Sequence, residues 1–166
     1  MGEKKKKDKS PKTPKVGVAV FLFKENTCSN TNRDLGKIKV LLGKRLGKHG
    51  SREWSPPGGH VEFMEDPVDT CQRETKEETN LSMRKLRRVT SVPYTNDVFK
   101  ETGKHYITLF FTADVDREED LVNVEKDKFE EWQWFKLNEL PFPLFGPARK
   151  ILNDPDFLNE AVEHHL

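Results

Sequence analysis

Three glutamates, Glu74, Glu77 and Glu78, crowd the segment GHVEFMEDPVDTCQRETKEETNL at 59–81 with little to neutralise them. In a helix, at about 100° per residue, they share an arc of about 100°. Glu74 and Glu78 are four residues apart, a like-charge spacing that costs a helix a few tenths of a kcal/mol. A surface helix ordinarily places Lys or Arg four residues after each acid. Here Leu81 follows Glu77, Ser82 follows Glu78, and only Arg73 can reach back to Glu77. Such a face suits a hard cation. Clustered carboxylate oxygens bind Mg²⁺, which keeps several waters and shares its remaining positions with substrate phosphates.

The flanks predict a helix that starts and stops on specific signals. Asp66-Pro67 supplies an N-cap with proline at the first helical position, and Asp69 sits in the first turn. Val68, Cys71, Thr75 and Thr79 form a thin semi-apolar stripe opposite the acids. Asn80 falls at the stop, and Asn is the best non-glycine residue for a left-handed C′ position. Upstream, Pro56-Pro57-Gly58-Gly59 is a loop whose glycines let backbone approach a ligand closely.

Gly59, Glu65, Arg73, Glu74, Glu77, Glu78 and Leu81 match the pattern G-x5-E-x7-R-E-U-x-E-E-x-G-U, where U is a bulky aliphatic residue. The chain thereby resembles the Nudix hydrolases. It departs at Thr75, the first U, and at Asn80, the final Gly, and neither departure touches a carboxylate. Val40-Leu41-Leu42-Gly43-Lys44-Arg45, Trp54 before Pro56-Pro57-Gly58-Gly59-His60, His105-Tyr106-Ile107-Thr108, and Glu131-Trp132-Gln133-Trp134-Phe135 extend the likeness. These look like the MutT-type branch, and most of all the eukaryotic MutT-like nucleotide diphosphatases, over roughly 16–158. Where those proteins have Trp-Gly-Leu near the base pocket, this chain has Gly146-Pro147-Ala148, which leaves base preference open.

The resemblance implies Mg²⁺-dependent hydrolysis of nucleoside triphosphates, oxidised or otherwise modified purines among them, to a monophosphate and pyrophosphate. Mn²⁺ is expected to substitute. Two or three cations could be shared by Glu74, Glu77, Glu78 and the carbonyl of Gly59, with Glu74 and Glu78 the strongest ligands by resemblance. Glu77 is either a ligand or the general base. Arg73 orients Glu77 through an i,i+4 pair, so Arg73, Glu77 and Glu78 form the catalytic set, and Glu65 completes the acidic rim. Lys44, Arg45, Pro56, His60, Thr108 and Phe145 are the substrate-binding candidates. Trp54, Trp132 and Trp134 are alternative stacking residues, and Glu125 and Glu130 are extra ligand candidates. Rival substrates are dihydroneopterin triphosphate, a dinucleotide such as NADH or ADP-ribose, and capped RNA. A non-catalytic nucleotide-binding module is the rival from another class. Every box glutamate is present, which favours the enzyme.

The 166 residues suit one domain. The net charge of +1 is unevenly spread. Residues 1–15, MGEKKKKDKSPKTPK, hold seven lysines and form a disordered basic arm, leaving a net acidic domain at 16–166. Met1-Gly2 is no myristoylation signal, because Lys6 occupies the Ser/Thr position. No apolar run is long enough for a membrane span or a secretory signal, and Cys28 and Cys71 suit reduced thiols. The expected location is cytoplasmic, with nuclear entry through the arm. Expected partners are a nucleotide, a weak nucleic-acid contact through the arm, and a second copy of the chain in a homodimer.

The elements that must position these residues follow from periodicity. Strands are predicted at 16–23 and 37–45 with a loop between, short strands around the PPGG turn, and the acidic helix after it. Residues 86–100 and 104–115 read as a long hairpin turning at Glu101-Thr102-Gly103, and 116–129 as a mobile charged loop. A strand at 130–135 and helices near 146–153 and after Asp154-Pro155 follow. Mixed strands with two or three helices indicate an α/β fold. The expected form is an α/β/α sandwich with a mixed sheet and the acidic helix on one face.

Overall fold

The computed structural model describes residues 12–25 and 35–165. Strand β1, Lys15–Glu25, alternates Val18, Val20 and Leu22 with Phe21 and Phe23, all buried. A period of two sends these sets to opposite faces, so a strand apolar on both needs a layer over each. Helix α1, Pro67–Thr79, covers the first face through Cys71, which packs with Val18, Val20 and Leu22. Helices α2, Gly146–Leu152, and α3, Pro155–His165, cover the second. There Ile151, Leu152, Phe157 and Ala161 pack with Phe21 and Phe23. The chain is an α/β/α sandwich.

Among the described residues the sheet has seven strands. The others are β2 (Ile38–Arg45), β3 (Trp54–Ser55), β4 (Met83–Arg88), β5 (Thr95–Phe99), β6 (Lys104–Val115) and β7 (Phe129–Lys136). The order is β3-β2-β1-β6-β4, with β5 also on β6 and β7 also on β2. Only β1 and β6 run parallel, so the sheet is mixed.

The predicted start and stop of α1 are realised atom by atom. Asp66 Oδ1 accepts the Val68 N–H at 2.8 Å, and Asn80 takes the left-handed conformation at φ 60°. Two expectations change. The hairpin at Phe99 and Lys104 forms, but 86–100 is not one strand. The Glu160 carboxylate on α3 takes the N–H groups of Thr90 and Ser91, which pulls the chain off the sheet between β4 and β5. The loop at 116–129 is pinned, not free. Val122 N–H donates to the Thr79 carbonyl and Val124 N–H to the Glu78 carbonyl, so the loop closes over the end of α1. Cys71 is buried, and burial pushes its thiol well above the ordinary range. Cys28 and residues 1–11 of the basic arm lie outside the described residues, and Lys15 opens β1.

Candidate active site

Helix α1 turns Glu74 and Glu78 into the fold and Glu77 out of it. Glu78 is 3% exposed and Glu74 9%, whereas the Glu77 side chain is 52% exposed. The PPGG loop closes against the two inner carboxylates. Gly58 N–H donates to Glu78 Oε2 at 3.1 Å. A Cβ on Gly59 would stand 2.2 Å from the Glu74 carboxylate, so only glycine leaves that carboxylate its place. The Gly59 carbonyl accepts the Val18 N–H at 2.8 Å, which uses one of its two lone pairs.

Arg73 is the hub of the rim. Its Nε and Nη2 bind the two oxygens of Glu65 at 2.8 and 3.0 Å, and its Nη1 reaches Glu74 at 2.7 Å and Glu77 at 3.2 Å. The expected pair with Glu77 is thus the longest of its four contacts to carboxylates. Arg73 fixes Glu65 first, in the fork geometry guanidinium offers a carboxylate. Hydrogen bonds from Arg73, then from Glu62 N–H and Thr70, hold the Glu65 carboxyl down at about 2.

The pinned loop carries Glu125 to this site. Its Oε1 pairs with Lys128 Nζ at 2.8 Å, and its Oε2 is buried with no partner. Burial pushes the Glu78 carboxyl well above the usual range, and the charges of Glu74 and Glu125 add to the shift. The Gly58 N–H and Arg45 oppose it without cancelling it. Among the described residues no three acidic, His or Cys side chains already stand together as a metal cage. Arg73 and Lys128 occupy oxygens of Glu74 and Glu125 that a metal would take. The donor set nonetheless fits a hard cation. It is all oxygen, it includes a buried orphan oxygen on Glu125, and Glu78 lacks a full counter-charge.

Glu74 and Glu78 line a cavity of about 390 Å³. Gly58, Gly59 and His60 line it beside them, with Arg45, Ser55, Pro56, Phe99, Tyr106, Thr108 and Phe145. Arg45, at the end of β2, donates to the His49 carbonyl at 3.2 Å and to Ser55 Oγ at 3.3 Å. Its guanidinium lies 4.6 Å from the Phe145 ring centre. Burial lowers its pKa, opposed by Glu78 and Glu53, and an arginine so shifted stays charged. Phe99 and Phe145 stack at 5.7 Å with His49 edge-on to both, at 4.1 and 5.3 Å.

Of the substrate-binding candidates, Arg45, Pro56, His60, Thr108 and Phe145 line the cavity. Lys44 does not. It follows the pleat to the other side of β2 and pairs with Glu130 at 3.0 Å, which removes Glu130 from the site as well. Trp54 and Trp132 are buried in the two cores, and Trp134 lies beneath Lys24. None of the three tryptophans reaches the cavity. His49, Phe99, Lys104, Tyr106 and Lys128 line it without having been read from the sequence. The pairing of Phe99 with Lys104 across the hairpin could have signalled two of them. Nothing local marks His49.

Burial among the two phenylalanines lowers the His49 pKa from 6.5 to about 4, with Lys104 and Arg45 adding to it. The folded value lies below the unfolded one, so this histidine's stabilising contribution is complete above pH 6.5. It is lost as pH falls from there through 4. A proton NMR titration is expected to place its midpoint near 4, and His49→Gln should flatten the fall in melting temperature between pH 6.5 and 4. A midpoint near 6.5 would contradict the ring packing.

The profile of the NUDIX domain family matches residues 13–154. The chain belongs to the Nudix hydrolase family. Among curated relatives, the asymmetrical bis(5′-nucleosyl)-tetraphosphatase of Caenorhabditis elegans is 27% identical over 104 residues. That match covers 63% of this chain and 72% of the relative. The RNA pyrophosphohydrolase of Bartonella clarridgeiae is 28% identical over 125 residues, covering 62% and 71%. A MutT NUDIX hydrolase from Burkholderia pseudomallei superposes with TM-score 0.68 at 25% identity, covering 92% of this chain and 98% of that one. The acidic helix is therefore the Nudix box. This Nudix hydrolase acts on phosphoanhydride substrates, and its described helices include none long and apolar enough to cross a membrane.

Proposed function

We propose that the chain is a Mg²⁺-dependent nucleoside triphosphate diphosphatase, releasing a nucleoside monophosphate and pyrophosphate. The observation that carries this reading is the one cavity that carboxylates, Arg45 and aromatic rings line together. That combination of groups suits a triphosphate and one base. The volume of about 390 Å³ suits one small ligand.

Glu74, Glu78 and Glu125 would hold Mg²⁺, with the Gly59 carbonyl beside them; Mn²⁺ would serve in its place. When bound, Mg²⁺ neutralises phosphate charge and makes a coordinated water more acidic. Arg45 donates to the phosphate chain from a buried position, where its charge is weakly screened. Lys128, on the cavity wall, adds a second positive group. Arg73 keeps Glu74 aimed at Gly59 while it ties down Glu65. Glu77 lies on the exposed rim, which favours an outer role over that of a buried ligand. Phe99, His49 and Phe145 give the base an apolar wall, a surface that stacks on many bases.

The two relatives favour a second reading in which longer or RNA-borne phosphate chains are cut. One panel separates the readings: purine and pyrimidine triphosphates, a dinucleoside tetraphosphate and a 5′-triphosphorylated RNA. Products are followed by phosphorus NMR in ¹⁸O-labelled water. Pyrophosphate from several triphosphates, purines leading, is expected. Orthophosphate as first product, or turnover of the tetraphosphate or RNA alone, would overturn the proposal.

A further inference from the structure

Asp97 lies deep in the fold, bonded to Thr108 of the cavity wall. It sits on β5, is 3% exposed, and its Oδ1 pairs with Lys150 Nζ of α2 at 2.9 Å. Its other oxygen, Oδ2, accepts two hydroxyls, Thr95 Oγ1 at 2.6 Å and Thr108 Oγ1 at 2.8 Å. A carboxylate in an ion pair can only accept, so both threonines must donate to it. A hydroxyl has one proton. Thr108 has spent its proton on Asp97, and Thr108 also lines the cavity. Its oxygen lies 3.9 Å from where a Cβ on Gly17 would stand, and Gly17 lines the same cavity.

We propose that Asp97, acting through Thr108, makes the pocket select nucleobases that present an N–H donor. The selection presupposes the nucleotide ligand proposed above and specifies which edge chemistry it must carry. A free hydroxyl would adapt, donating to a ring nitrogen or accepting from an amino group with equal ease. Thr108 cannot adapt, because turning its proton into the pocket would strip the buried Asp97 of one of its partners. Only the Thr108 lone pairs face the ligand. An amino group or a ring N–H completes them, whereas a bare ring nitrogen meets lone pair with lone pair. Phe99, Phe145, Pro147 and Ala148 in the same lining offer no polar side-chain atom, whereas Thr108 offers an acceptor of fixed sense. Asp97 is thus a positioning residue, and Thr108 is the group that touches the base.

The test uses the full-length protein and equilibrium binding of three monophosphates, which needs no turnover. Adenosine and guanosine monophosphates carry amino or ring N–H donors; purine riboside monophosphate has the same ring system and none. Wild type is expected to bind at least one of the first two roughly tenfold or more tighter than the third. Thr108→Val should bring that ratio within about twofold by weakening only the donor-bearing ligand, and Thr108→Ser should keep it. Equal binding of all three to wild type would overturn the proposal, as would no binding at all. So would a wild-type ratio retained in Thr108→Val. Were Thr108→Val to misfold, the wild-type ratio alone would still decide the matter, since an unpolarised hydroxyl gives none. A failed triphosphate assay alongside a tenfold binding ratio would refute only the proposed reaction.

Discussion

Glu78→Gln is expected to lower Mg²⁺-dependent turnover by at least about 100-fold while raising the melting temperature of the metal-free protein by a few degrees. The two effects have one cause. Glu78 is buried, and Glu74 and Glu125 bring like charge against it, with too little positive charge nearby to compensate. A neutral amide of equal volume removes that repulsion and can still accept the Gly58 N–H through its oxygen. The same substitution removes the buried charge a cation would need. Scanning fluorimetry with and without MgCl₂ separates the effects. Wild type should gain stability on adding Mg²⁺ and Glu78→Gln should gain almost none. A folded Glu78→Gln protein with near wild-type turnover would take Glu78 out of the metal site.

The adjacent glycines are expected to fail in opposite ways. A Cβ on Gly58 would meet the backbone carbonyl oxygen of Val18 at 2.2 Å, in the middle of the sheet. Nothing there can turn aside, so Gly58→Ala should cost about 3 kcal/mol or more and about 6–12 °C in melting temperature. A Cβ on Gly59 would meet only the Glu74 carboxylate, the far end of a flexible side chain. Gly59→Ala should therefore stay within about 1.5 kcal/mol of wild type but lose at least about 100-fold in turnover, since the displaced group is a proposed ligand. Urea denaturation and steady-state kinetics on both variants read the contrast. Wild-type stability in Gly58→Ala, or wild-type activity in Gly59→Ala, would contradict the packing of this loop on β1 and α1.

The sequence by itself determined the elements whose causes are local. Asp66, Pro67 and Asn80 set the limits of α1 through capping and backbone preference, and the alternation in β1 required a layer on each face. Spacing along one helix brought Glu74 and Glu78 to one side, because a helix fixes that geometry regardless of what surrounds it. Tertiary structure decided what depends on distant partners. Whether Lys44 or Arg45 faced the cavity turned on the pleat of β2 and on Glu130 waiting across the sheet. The fate of the 116–129 loop turned on two carbonyls at the end of α1, which accept its backbone and deliver Glu125 to Glu78. Arg73 chose Glu65 as its main partner because a loop folded back, where helical spacing alone offered Glu77. The polarity of Thr108 was set by Asp97 on a neighbouring strand and Lys150 on α2, 53 residues beyond Asp97. No local pattern encodes such a contact, because its energy exists only once the sheet and α2 have met.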